Sequence, residues 1–180
     1  PSMLLTGFLS VGIVTLTLLT PSILQTQFSY PASDALEANS IAIICLTFGC
    51  IFWGWLADRI GAYRVLLLGS LALAASSYVF YHALPAEVGH TTLLYSIAGF
   101  CLGSVAVVPM ILVGLFPPAV RYSGFSFSYN VAYSIFGGFA PMLVAYWLKS
   151  DVLAPAHLLA IVCMFAMVMA LYLSLKGKRP

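Results

Sequence analysis

Apolar residues run along this chain in long unbroken blocks, and the charged positions fall between them. The twelve charged residues leave charge-free stretches at 1–33, 38–57, 65–86, 88–120, 122–148 and 152–175, each at least 20 residues long. A helix needs about 20 residues to cross a hydrocarbon core of about 30 Å. Membrane-barrel strands are about ten residues long and alternate strictly. Runs such as Ile41-Ala42-Ile43-Ile44-Cys45-Leu46 do not alternate. Backbone groups in lipid must be satisfied within their own segment, which selects helices. The pattern predicts an all-α membrane protein of six transmembrane helices, at about 3–24, 37–56, 63–83, 91–115, 122–147 and 155–175. Short loops predict that consecutive helices pack as antiparallel neighbours.

Composition supports this class and removes others. The chain is 62% hydrophobic and 7% charged, against about 25% charged in soluble domains. Seven Lys/Arg and five Asp/Glu cannot coat a water-facing surface of this size, and no basic face for nucleic acid exists. Arg59, Arg64, Arg121, Lys176, Lys178 and Arg179 fall in loops or tails on one side of the bundle; Lys149 is the exception. Asp34, Glu37, Glu87 and Asp151 fall on the other side. The positive-inside rule then predicts that both termini are cytoplasmic. Cys45, Cys50, Cys101 and Cys163 all lie inside spans and read as free thiols packing like small hydrophobes. No residues show metal-ligand spacing, and no cofactor is implied. The first stretch lacks a basic n-region and is long enough to span, so it reads as a helix and not a signal peptide.

Within the spans, Gly, Pro and hydroxyl residues carry the remaining information. Asp34 and Glu37 sit three apart before the second span and read as an N-cap and capping box. Pro117-Pro118 ends the fourth span. Gly99 and Gly103 form a GxxxG pattern for close helix contact. Pro109, Gly114, Ser134, Gly137, Gly138 and Pro141 allow either tight packing or bending at a transport site. No charge lies deep in a span, so proton-relay carboxylates are not visible in this chain. Asn130 is the most costly polar group to bury and calls for a partner, structural or substrate.

Between the second and third spans runs Gly54-Trp55-Leu56-Ala57-Asp58-Arg59-Ile60-Gly61-Ala62-Tyr63-Arg64. Gly54 admits a close neighbouring helix, and Gly61 permits a tight turn. Asp58 can accept from N–H groups at a helix N-terminus, and Arg59 and Arg64 can hold its carboxylate. Taken alone, the loop is either such a latch or a topology anchor with weak surface ion pairs. The stretch resembles the G-x-L-A-D-R-x-G-R-[KR]-[KR] loop of the major facilitator superfamily, departing at Ala62 and Tyr63. The resemblance implies a latch that fastens two halves on the cytoplasmic side, with the partner of Asp58 in the other half.

A second stretch, Phe116-Pro117-Pro118-Ala119-Val120-Arg121-Tyr122-Ser123-Gly124, is followed by Tyr129-Asn130-Val131-Ala132-Tyr133-Ser134-Ile135-Phe136-Gly137-Gly138-Phe139-Ala140-Pro141. This is similar to F-P-x-x-x-R-x-[ST]-G and Y-N-x-[AS]-Y-[AS]-[IL]-F-G-G-x-x-P in the metabolite:proton symporter family. Pro21-Ser22-Ile23-Leu24 is similar to that family's seventh helix. Arg121 at a helix N-terminus opposes the dipole and calls for a partner, lipid phosphate or the Asp58 loop. Gly124 allows close packing.

The resemblance implies the C-terminal six-helix half of a secondary transporter, a 3+3 inverted repeat mapping onto helices seven to twelve. Its substrate is then a small polar metabolite, moved by alternating access and coupled to protons across a bacterial inner membrane. The implied partners are the absent N-terminal half, lipid, substrate and protons. By the same resemblance the first and fourth spans face the cavity, the second and fifth pack along the other half, and the third and sixth face lipid. Substrate-path candidates are Ser22, Gln25, Tyr95, Ser96, Asn130 and Tyr133. Alternative readings are a self-associating homodimer or an exporter subunit. An intramembrane protease is disfavoured, because Ser104 follows Gly103 without the G-x-S context and His157 lies at a span's edge.

Overall fold

The computed structural model describes residues 2–85 and 90–176. Glu87, Lys178 and Arg179 lie outside the described residues. The first helical run comprises α1 (Ser2–Ile13), a π-helical turn (Val14–Leu19) and α2 (Thr20–Phe28). Next come α3 (Ala32–Ile60) and α4 (Ala62–Ala83). A fourth run holds α5 (Thr91–Leu102), a 3-10 turn (Gly103–Ala106) and α6 (Val107–Leu115). After a short 3-10 turn at Pro118–Val120 come α7 (Arg121–Trp147) and α8 (Ala154–Lys176).

Five of these runs are long and apolar enough to cross a membrane: Ser2–Phe28, Ala32–Ile60, Ala62–Ala83, Thr91–Leu115 and Ala154–Leu175. The sixth, α7, has the length but not the composition. Its 27 residues include Ser123, Ser126, Ser128, Asn130, Ser134 and four tyrosines. Absence of charge defines a span at 122–147 in the sequence, but hydroxyls and an amide lower its apolar character without adding charge.

The segment ends have local causes. Ser29 adopts a left-handed φ of 55°, and its N–H and that of Tyr30 (3.1 Å) both reach the Leu24 carbonyl, which closes the end of α2. Helix α3 begins after Pro31, five residues earlier than the predicted span. Asp34 is therefore not a cap; it lies in the first turn, where its charge suits the dipole, and its Oδ1 accepts from the Ser33 hydroxyl at 2.9 Å. Phe116 is extended (φ −108°, ψ 137°), as a residue before proline must be, and so α6 stops.

Consecutive helices are not the main neighbours. Helix α3 packs chiefly on α5, α4 on α8 and α1 on α7, while α7 and α8 touch little. Small residues explain the rearrangement. A side chain at Gly99 would run into the Ala42 backbone, and one at Gly103 into Gly49 and Cys50. Gly49 in turn lies on the Phe100 carbonyl, to which the Trp53 indole donates at 3.1 Å. Backbones that approach this closely gain packing lipid cannot supply. On α8, Ala156, Leu159, Cys163, Ala166, Ala170 and Leu173 form a buried stripe at three- and four-residue spacing, the inward face of a helix. Ser10 of α1 donates to the Tyr133 carbonyl of α7 (3.1 Å), and its hydroxyl fills the space a side chain at Gly137 would need.

Candidate substrate path and the turn between α3 and α4

Gly61 alone joins α3 to α4. It closes one helix and opens the next at φ 95° and ψ 141°, a conformation that glycine adopts without penalty. The expected tight turn is thus a single residue. Gly54, expected at a close helix contact, faces open space within this chain. Asp58 and Arg59 are exposed in the last turn of α3, and Arg64 is exposed in the first turn of α4. The expected carboxylate–arginine clasp does not form. The Arg59 guanidinium instead lies over the Trp55 ring, 4.5 Å from its centroid, because residues four apart share a helix face. Among the described residues Asp58 has no hydrogen-bond or ion-pair partner. It sits at a helix C-terminus, where the dipole disfavours an anion.

Within this chain Arg121 meets the end of α6 and not the Asp58 turn. Its Nε donates to the Phe116 carbonyl at 3.2 Å, so a cation caps the end of α6, the favourable end of that dipole. The Phe116 ring lies against Gly124, in space that a β-carbon would fill. Phe116 is thus held at its main chain by Arg121 and at its ring by Gly124.

Among the described residues no single cleft gathers the six path candidates. Ser22 is exposed on α2 and lines a cleft of about 440 Å³ against the C-terminal end of α7. Gln25 is half-buried and bonds back to the Pro21 carbonyl (3.2 Å). Ser96 bonds back to Thr92 (2.6 Å), as hydroxyls in helices commonly do. Asn130 is exposed and donates to the Ser126 carbonyl at 2.8 Å, so within this chain it is not the buried amide expected. Tyr133 stacks on Tyr129 (5.8 Å), which stacks on Phe125 (5.5 Å). Four-residue spacing organises that face, not the three-residue step from Asn130 to Tyr133.

Tyr95 lies in the core, 1% exposed, with its ring stacked on Phe80 at 4.9 Å. Its hydroxyl donates to the Leu16 carbonyl inside the π turn and lies 2.6 Å from the Asn39 amide oxygen. A second hydroxyl pair serves the same turn. Thr20 Oγ1 donates to the Thr15 carbonyl (2.9 Å) and meets the Tyr81 hydroxyl at 2.7 Å. A π turn displaces carbonyls from their usual i+4 donors, and such turns concentrate at functional sites. Thr20, Asn39 and Tyr81 were not singled out in the sequence. A buried tyrosine calls for a hydroxyl partner, which is the signal that points to Tyr81.

No family model matches the chain, and no solved structure matches it. Curated relatives do. A protein assigned as a proline/betaine transporter in Staphylococcus aureus (strain COL) is 35% identical over 135 residues, 71% of this chain and 29% of that protein. The shikimate transporter of Escherichia coli (strain K12) is 37% identical over 105 residues, 56% of this chain and 23% of that one. The ectoine/proline transporter ProP of Corynebacterium glutamicum is 25% identical over 171 residues, 92% of this chain and 34% of that one. In sequence the chain resembles metabolite:proton symporters of the major facilitator superfamily. It spans about a third or less of the length of the curated relatives it matches.

Those relatives are transporters and not enzymes, and with the apolar helices they place this symporter-like chain in a membrane. Both of its long interrupted runs, Ser2–Phe28 and Thr91–Leu115, break near their middles. Pro and Gly residues in the sequence signal breaks of this kind; the π turn at Val14–Leu19 carries neither, but Pro21 just after it lacks the N–H that the carbonyls of the turn would otherwise receive.

Proposed function

We propose that this chain is the C-terminal six-helix half of a secondary active transporter that moves a small polar metabolite by alternating access, coupled to protons. The observation that carries this reading is α7. It is 27 residues long, and only Ser128, Ala132, Ala140 and Val144 are buried. Its exposed surface mixes Asn130 and Tyr122 with Phe127, Phe139 and Met142. Such a surface suits a polar partner half or an aqueous cavity better than lipid. Helix α3 is also sparsely buried within this chain, as a second contact with that half requires. The unpartnered Asp58 supports the latch reading, with its cap donor on the absent half. Coupling carboxylates then belong to that half, since no Asp or Glu lies deep in a span here. Both termini lie in the cytoplasm of a bacterial inner membrane.

Proteoliposome uptake tests the reading. The full-length protein, given labelled proline, betaine or shikimate and an inward proton gradient, accumulates at least one of them, and a protonophore abolishes accumulation. The 180-residue chain alone accumulates none. Robust gradient-driven uptake by the chain alone overturns the half-transporter reading, and accumulation insensitive to the protonophore overturns proton coupling.

A further inference from the structure

We propose that the cleft between α2 and the C-terminal end of α7 binds the carboxylate of a small organic acid or zwitterion, with Lys149 as its charge partner. The site lies at one end of the bundle, away from the midplane, and goes beyond the transport reading. The cleft has a volume of about 440 Å³, within the range of small-molecule pockets. Its polar lining comprises Ser22, Thr26, Gln27 and Lys149, with Ile23 and Pro141 among its apolar residues. Among the described residues no acidic group lines it.

The polar groups are donors left open. Among the described residues, the Ser22 hydroxyl, the Gln27 amide and the Lys149 ammonium have no hydrogen-bond or ion-pair partner. Thr26 gives its proton to the Ser22 carbonyl (2.8 Å). The acid nearest in sequence to Lys149 is occupied elsewhere. Asp151 Oδ1 accepts from the Leu153 N–H at 2.8 Å, and its Oδ2 pairs with His157 Nε2 at 2.9 Å. Lys149 also follows the last turn of α7, where the dipole favours a cation. A positive, donor-rich wall beside an apolar floor suits an oxyanion on a small apolar body: charge-assisted bonds hold the oxyanion, and Ile23 and Pro141 take the body.

The same chemistry could come from a solute carboxylate or a lipid phosphate; the proposal commits to the solute. The full-length protein in phosphatidylcholine nanodiscs is acylated with a water-soluble succinimidyl acetate, and modification of Lys149 is followed by peptide mass spectrometry. The probe is cyclohexanecarboxylate at about 10 mM, and cyclohexanecarboxamide is its neutral counterpart. The carboxylate slows acylation about threefold or more, the factor 1 + [L]/Kd for a Kd of about 5 mM or below, and the amide does not. The double substitution Ser22→Ala, Gln27→Ala removes the protection while thermal unfolding stays as in the parent. Equal protection by the amide, or protection that survives the double substitution, overturns the site. Lys149 that resists acylation without any probe also overturns it, because the rest of the protein then fills the cleft. Protection seen only with phosphatidylglycerol in the disc assigns the group to lipid and overturns the solute reading. None of these readouts requires turnover, so they stand apart from the uptake test.

Discussion

The Tyr95 hydroxyl on α5 donates to the main-chain carbonyl of Leu16, inside the π turn that interrupts the first helical run. The carbonyl needs this outside donor because the wide turn moves it away from its usual helical N–H. The hydroxyl has one proton and two carbonyl-type neighbours, Leu16 and the Asn39 side chain. Replacing Tyr95 with Phe keeps the ring on Phe80 and removes only that proton. Interhelical hydrogen bonds in membranes average about 0.6 kcal/mol, and stranding a buried acceptor costs about 1–3. Tyr95→Phe is therefore expected to lower unfolding free energy in a detergent titration by about 1 kcal/mol. An unchanged titration would show that the turn satisfies its own carbonyl.

Two glycines of the interior sequence should respond in opposite ways. A β-carbon at Gly103 meets the α3 backbone, and one at Gly54 meets nothing within this chain. Gly103→Ala is expected to cost about 1–3 kcal/mol by overpacking. Gly54→Ala is expected to be neutral or to stabilise the isolated chain by up to about 1 kcal/mol through helix propensity. Parallel unfolding titrations of the two variants decide the matter.

Asp58 separates stability from function. It has no partner among the described residues, so Asp58→Asn should leave the stability of this chain unchanged or raise it by up to about 1 kcal/mol as the dipole clash is removed. A charge-assisted bond to a partner half is worth about 1.5–3 kcal/mol, so uptake by the full-length protein should fall roughly tenfold or more. Equal uptake by parent and variant would remove the latch role.

At the opposite end of the bundle, His157 links Asp151 to Tyr78, with Nδ1 2.7 Å from the Tyr78 hydroxyl. The link ties the start of α8 to α4. His157 and Asp151 are 42% and 47% exposed, so the pair is worth under about 1 kcal/mol. Asp151→Asn should speed amide exchange over residues 153–158 without lowering global stability measurably. Exchange that stays at the parent rate would mean that packing alone holds that end.

The helices were legible in the sequence because charge is expelled from lipid, and that expulsion is read residue by residue. Pro117-Pro118 marks the end of α6 for the same kind of local reason. The arrangement of helices was not legible from loop length. Which helices become neighbours depends on Gly49, Gly99 and Gly103 meeting across α3 and α5, a pairing that no single segment encodes. The candidate path was legible only as residue types. Ser22 lies in an open cleft, whereas Tyr95 serves the π turn. Sequence distance gives no sign of the 79-residue separation between Tyr95 and its acceptor.

The single residue between α3 and α4 has a mechanical consequence. Gly61 is the whole connection, so two long rods share one swivel with no slack on either side. A displacement of the Asp58 end of α3 is therefore expected to pull on the start of α4, which packs on α8. What loads the turn is thus expected to load α3, α4 and α8 together.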